Sequence, residues 1–73
     1  MERSKRQKLY DLRIKLGYSR TDMGKLLDIS KVYYWQIENK QRNLSYRMAF
    51  QIAEILGSKP DELFYDEFKK DPK

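Results

Sequence analysis

The sequence predicts an all-α domain of five short helices, with the second and third joined as a helix-turn-helix unit. Three observations predict it. Apolar residues recur at helical spacing in successive segments. Serines suited to helix N-caps (Ser19, Ser30, Ser45) and residues suited to helix stops (Gly17, Asp28, Gly57) punctuate those segments. No strand signal extends beyond a few residues. The run Val32-Tyr33-Tyr34-Trp35 has high β propensity, but a lone strand would lack a partner, and Tyr34 and Ile37 stand at helical spacing.

Each element has its own signals. Ser4 with Gln7 has the form of a capping box, so the first helix is expected to start near Lys5. Leu9, Leu12 and Leu16 form its inward face, and Gly17 ends it. Ser19 with Asp22 is a second capping box, flanked by Tyr18 and Met23 at staple positions. The second helix, about Arg20 to Leu27, turns Met23, Leu26 and Leu27 to one face. Asp28 tolerates the left-handed turn that stops it, and Ile29 points back inward. Ser30 caps a third helix, about Lys31 to Asn39, with Tyr34 and Ile37 inward. The turn between these two helices is about three to four residues, the length found in helix-turn-helix units. A polar, basic segment follows from Lys40 to Leu44, with Asn39 and Asn43 as turn residues. Ser45 caps the fourth helix, whose Ala49, Ile52, Ala53 and Leu56 share a face, and Gly57 stops it. Pro60 suits the first position of a short fifth helix reaching about Tyr65, and Asp61 and Glu62 complement its dipole. Leu63 and Phe64 are expected to close the core. Residues 1–65 thus read as one domain and 66–73 as a charged tail.

Composition narrows the function. Seventy-three residues make one small domain with a modest core. The chain has no cysteine and no histidine, which removes disulfides, thiolate–zinc sites and histidine general bases. No phosphate loop or dinucleotide fingerprint appears, and the acidic residues Asp61, Glu62, Asp66 and Glu67 lack the loop geometry of a cation site. An enzyme is not expected, nor a cofactor, metal or small-molecule ligand. No apolar run approaches the roughly 18 residues of a membrane span. The basic N-terminus has no apolar segment behind it, so a secretory signal is not expected and a cytoplasmic protein is. The net charge of +5 is uneven: residues 1–47 carry +7 and residues 48–73 carry −2. Basic charge on the half that holds the helix-turn-helix suits a polyanionic partner.

An ordered set of residues resembles the Cro/repressor-type (XRE) family of bacterial and phage DNA-binding proteins. The set is Leu12-Arg13, Gly17, Met23, Leu26-Leu27, Ile29-Ser30, Ile37-Glu38-Asn39, Arg42, Ser45, Ile52-Ala53, Leu56-Gly57 and Asp61 with Leu63-Phe64. It spans Leu9 to Phe64. The resemblance implies a lambda-repressor-like five-helix globule, with the third helix entering the major groove. It also implies a salt bridge between Arg13 and Glu38 that ties this helix to the scaffold. Three residues depart from the family pattern. Gly24 stands where a small residue such as Ala is usual, at a cost of about 1 kcal/mol of helix propensity. Asp28 replaces a turn glycine, and Tyr34 replaces an inward aliphatic residue, so its hydroxyl needs a partner. Slightly lower stability is expected.

The expected DNA-facing residues follow from the side of the third helix opposite Tyr34 and Ile37. Lys31, Val32, Trp35 and Gln36 form the base-reading set. Gln36 suits an adenine edge, Lys31 guanine or a phosphate, and Val32 a thymine methyl. Trp35 has three open uses: thymine methyls or sugars, packing on the loop from Lys40 to Asn43, or a protein partner. The phosphate set is Arg20, at the start of the second helix, with Asn39, Lys40 and Arg42 behind the third. By the family resemblance Tyr33 joins it. Arg3, Lys5 and Arg6 read as a solvated basic arm without specific contacts. The partner expected is double-stranded DNA carrying an inverted repeat, bound by a homodimer whose first candidate surface is Phe64, Tyr65 and Phe68. The function expected is a transcriptional regulator, by resemblance a repressor of phage or mobile-element type, controlled by concentration, a partner protein or proteolysis. The rival is a protein-interaction role on the same fold, as an antitoxin, antirepressor or co-regulator, motivated by the run Tyr33-Tyr34-Trp35 and by the later aromatics Phe64, Tyr65 and Phe68.

Overall fold

The computed structural model describes residues 5–65. It contains α1 (Gln7–Leu16), α2 (Arg20–Leu27), α3 (Lys31–Glu38), α4 (Tyr46–Leu56) and α5 (Pro60–Leu63). The local signals act as chemistry dictates. Ser19 Oγ accepts from the Asp22 backbone N–H at 2.9 Å, and Asp22 Oδ2 accepts from the Ser19 N–H at 2.9 Å. This reciprocal pair satisfies two orphan donors of α2. Ser30 Oγ accepts from Tyr33 N–H, and Ser45 Oγ from Met48 N–H, starting α3 and α4 in the same way. Asp28 adopts φ 61° and closes α2, with its N–H donating to the Lys25 carbonyl. Ile29 N–H then donates to the Gly24 carbonyl at 2.8 Å, so α3 departs almost at once.

The core is one cluster fed by every helix: Leu9 from α1, Met23 from α2, Tyr34 and Ile37 from α3, four residues of α4, then Leu63 and Phe64. Tyr18, Leu27, Ile29 and Leu44 pack at its edge. α4 supplies its whole apolar stripe, Ala49, Ile52, Ala53 and Leu56, and α2 and α3 lie packed together as a unit. The two alanines let neighbouring backbones come close while the larger residues fill the space between.

Four expectations are corrected here. α1 begins at Gln7 rather than near Lys5, because Arg6 is drawn aside: its N–H donates to the Glu38 carbonyl at 2.8 Å. Ser4, read as its cap, lies outside the described residues. Leu16 and Leu26 are not core residues and are about half exposed. In α1 the covered place beside Leu9 goes to Arg13, and in α2 the close approach at Gly24 turns the buried face toward Met23, Gly24 and Leu27. α5 ends at Leu63 rather than Tyr65. Phe64 leaves the helix and is only 2% exposed, so its ring belongs to the core and is not available to a dimer surface. Tyr65 is exposed, and Phe68 lies outside the described residues along with the tail.

Candidate nucleic-acid interface

The site is built around a buried carboxylate. Glu38, the last residue of α3, is 0% exposed and accepts four hydrogen bonds. Arg13 Nε reaches Oε2 at 2.7 Å and Arg13 Nη2 reaches Oε1 at 3.1 Å, a bidentate fork. Arg20 Nε adds a bond to Oε1 at 3.2 Å, and Tyr34 Oη donates to Oε2 at 3.1 Å. A carboxylate has about four lone-pair sites, so Glu38 is fully satisfied away from water. Arg13 also donates to the Tyr18 carbonyl at 2.9 Å. Burial opposes the Arg13 charge, but the hydrogen bond and the charge of Glu38 outweigh it, and its pKa rises above the ordinary arginine value. Burial, reinforced by the Glu38 charge, pushes the Tyr34 phenol well above its ordinary value and keeps it a donor.

Arg6 completes the anchor. Its Nη1 donates to the Ile37 carbonyl and, at 3.4 Å, to the Arg42 carbonyl. Those carbonyls lie at and beyond the C-terminal end of α3, where a cation complements the helix dipole. The basic-arm reading is therefore corrected at Arg6, a buried strut rather than a solvated charge. Lys5 Nζ sits 3.9 Å from the Tyr10 ring centroid, also engaged. Arg3 lies outside the described residues.

With its C-terminal end held from α1, α2 and the N-terminal segment, α3 presents its other side to solvent. Lys31, Val32 and Trp35 are exposed, and Gln36 and Tyr33 are half-buried at the edges of that surface. Trp35 is 42% exposed, and its carbonyl receives the Asn39 side-chain amide at 3.0 Å. Asn39 therefore closes its own helix. Lys40 is exposed in the left-handed region at φ 58°. Arg42 folds back to α3: its guanidinium carbon lies 4.1 Å from the Tyr33 ring centroid, and its Nε and Nη2 donate to Gln36 Oε1 at 3.2 and 3.0 Å. Tyr33, Gln36 and Arg42 thus meet on one surface, and Lys31, Val32, Trp35 and Lys40 are exposed on and just after α3. Arg20 stands apart in one respect, because its Nε is committed to Glu38, with 34% of the side chain still exposed.

Arg20 and Arg6 are the partners that residue patterns did not disclose. Arg20 lies at the start of α2 and gave only a helix N-terminus signal. Arg6 gave only the signal of a basic run. The available hint was numerical: a carboxylate inside a small core needs more donors than one arginine supplies.

A model of the helix-turn-helix family matches residues 9–63. The chain belongs to the XRE-type helix-turn-helix family. Its matched span in this family includes all of α2 and α3 with the turn between them. Among solved structures it is similar to the restriction-modification controller protein C.AhdI from Aeromonas hydrophila. The two are 32% identical over 81% of this chain and 86% of that one, with a TM-score of 0.73. No curated protein matches the chain. The family and the fold are those of DNA-binding regulators, and the chain is a sequence-specific DNA-binding transcriptional regulator.

Proposed function

We propose that this regulator reads the major groove with α3, using Lys31, Val32, Trp35 and Gln36 on base edges. Arg20, Tyr33, Asn39, Lys40 and Arg42 hold the flanking phosphates. The observation that carries this reading is the anchoring of Glu38: four hydrogen bonds fix one end of α3 while its opposite side is left to solvent beside two exposed cations, Lys40 and Arg42. A rigid helix with a free polar side and cations at its rim has what insertion into a groove requires. Arg20 contributes from its exposed part while it holds Glu38.

The protein acts as a repressor of mobile-element type, and a homodimer binds an inverted repeat with half-sites about one helical turn apart. Tyr65 belongs to the dimer surface, and the protein works in the cytoplasm. No helix among the described residues is long and apolar enough to cross a membrane. Similarity to a restriction-modification controller protein supports the regulatory class.

The test is selection of bound sites from a random duplex library by the purified protein at near-physiological salt. An enriched inverted repeat is expected. A single enriched half-site would remove the homodimer and keep the reading helix. No enrichment by folded protein would remove base reading and leave the protein-interaction role, with Trp35 as its first residue.

A further inference from the structure

The fold uses only one face of α4. Ala49, Ile52, Ala53 and Leu56 enter the core. On the far side Arg47, Phe50, Gln51 and Glu54 recur at intervals of three and four residues, and all are exposed. Phe50 is 46% exposed, and Tyr46, one turn before it, is 52% exposed. Two neighbouring aromatic rings are thus left to water on one helix. The charges of this face lack opposite neighbours on their own helix, where pairs form between residues three or four apart. At those distances Arg47 has Asn43, Leu44, Phe50 and Gln51, and Glu54 has Phe50, Gln51, Gly57 and Ser58. Neither Arg47 nor Glu54 enters an ion pair with a described residue. They stand about two turns apart, nearly in line along the helix, with Phe50 between them.

We infer that this face of α4 is where two copies of the chain pair, antiparallel, about a two-fold axis beside Phe50. The inference rests on the homodimer proposed above and deepens it by naming the surface that carries the axis. A two-fold axis uses one patch twice, so the patch must complement itself. In the antiparallel pair Arg47 of each copy faces the partner's Glu54, and Phe50 lies against the partner's Phe50 and Gln51. A parallel pair would instead set Arg47 on Arg47 and Glu54 on Glu54, so the order of the charges selects the direction. Arg47 and Glu54 cancel, so a chain of net charge +5 meets its copy here without repulsion. A carboxylate beside two rings does not suit DNA as the occupant. The rings supply the buried apolar area, and the charge pairs fix register more than they add affinity.

The test is sedimentation of the purified protein over a range of concentration. It compares wild type, Arg47→Glu, Glu54→Arg and an equimolar mixture of the two variants, each shown folded by circular dichroism. Wild type is expected to form a dimer. Either variant alone sets like charges against each other at both contacts and is expected to self-associate about tenfold more weakly or worse. In the mixture one chain brings an acid at both positions and the other a base at both, so a heterodimer forms at least as tightly as the wild-type dimer. A variant that merely disturbed its own fold would not be rescued by the other. Variants that associate as wild type does overturn the inference, as does a mixture no stronger than its components; in both cases a dimeric wild type keeps the homodimer. A wild type that stays monomeric to about millimolar overturns the pairing and gives this face to a different protein. An inverted repeat enriched in the site selection would then still keep a homodimer assembled on DNA, whereas an isolated half-site would remove both.

Discussion

A Cβ built on Gly24 would stand 2.9 Å from the backbone carbonyl oxygen of Ile29 and 3.4 Å from Lys31 N. Helix propensity alone argues that alanine would stabilise α2 by about 1 kcal/mol. The contact argues the reverse, because backbone atoms of the turn cannot give way as a side chain would. Gly24→Ala is therefore expected to destabilise by about 1–3 kcal/mol, read from the urea midpoint; a gain in stability would show that the turn relaxes freely. The sequence offered Gly24 only as a departure from the family pattern, since the approach of Ile29 is set by a turn geometry that composition does not reveal. Lys40 poses the opposite case. It sits at φ 58°, where a side chain costs roughly 1–2 kcal/mol and glycine does not. Lys40→Gly is expected to raise stability by up to about 1 kcal/mol, after the larger entropy loss of glycine. It should also lower the salt dependence of DNA binding by about one ion. An unchanged midpoint would place the strain elsewhere, and an unchanged slope would remove Lys40 from the proposed phosphate contacts.

Helix boundaries were legible where the chemistry is local. The serine caps, the left-handed Asp28 and the final glycines of α1 and α4 all involve residues within a few positions of one another. The caps also predict a pH response. The Asp22 carboxyl is held below the usual carboxylate range, first by the Ser19 backbone N–H and then by its side chain. A depressed folded-state pKa means stability that is present above the unfolded value, about 3.9, and lost as pH falls through the folded value. Asp22→Asn should therefore lie below wild type in stability at neutral pH and converge toward it below about pH 4. A gap that stays constant in acid would mean that the carboxylate charge does nothing for α2. The Glu38 cluster is a different matter, because its arginines come from 18 and 25 positions away. Family resemblance supplied Arg13. Helical spacing puts Tyr34, one turn before Glu38, in the core but does not name its partner, and the position of Arg20 at a helix start points to phosphate rather than to Glu38. Arg13→Ala is expected to cost about 3–5 kcal/mol, because it leaves a buried carboxylate short of two bonds. Arg20→Ala should cost about 1 kcal/mol or less, since that side chain is one-third exposed and screened. Equal losses for the two variants would mean that the exposed and buried arginines share the anchoring evenly.

At the scale of the molecule, charge is unevenly divided along the chain. The basic half, residues 1–47, contains α1 to α3 and the loop with Lys40 and Arg42, while the remainder carries −2. Under the proposed function the basic half meets the phosphates, and the less basic half faces the second subunit, where like positive charges would repel. That arrangement fixes how affinity must respond to salt. Each neutralised phosphate releases counterions, and log K falls with log salt by about 0.9 per phosphate. Two subunits bound as one unit neutralise twice as many phosphates on an inverted repeat as one subunit does on an isolated half-site. The slope on the full repeat is therefore expected to be about twice that on the half-site, measured by titration over a range of salt. Monomers that bind independently would instead show the same slope per binding event on both duplexes. The comparison also tests the surface: replacing the exposed Tyr65 by Ser should move the full-repeat slope toward the half-site value if that ring lies between subunits. An unchanged doubling would keep the dimer and take Tyr65 out of its interface.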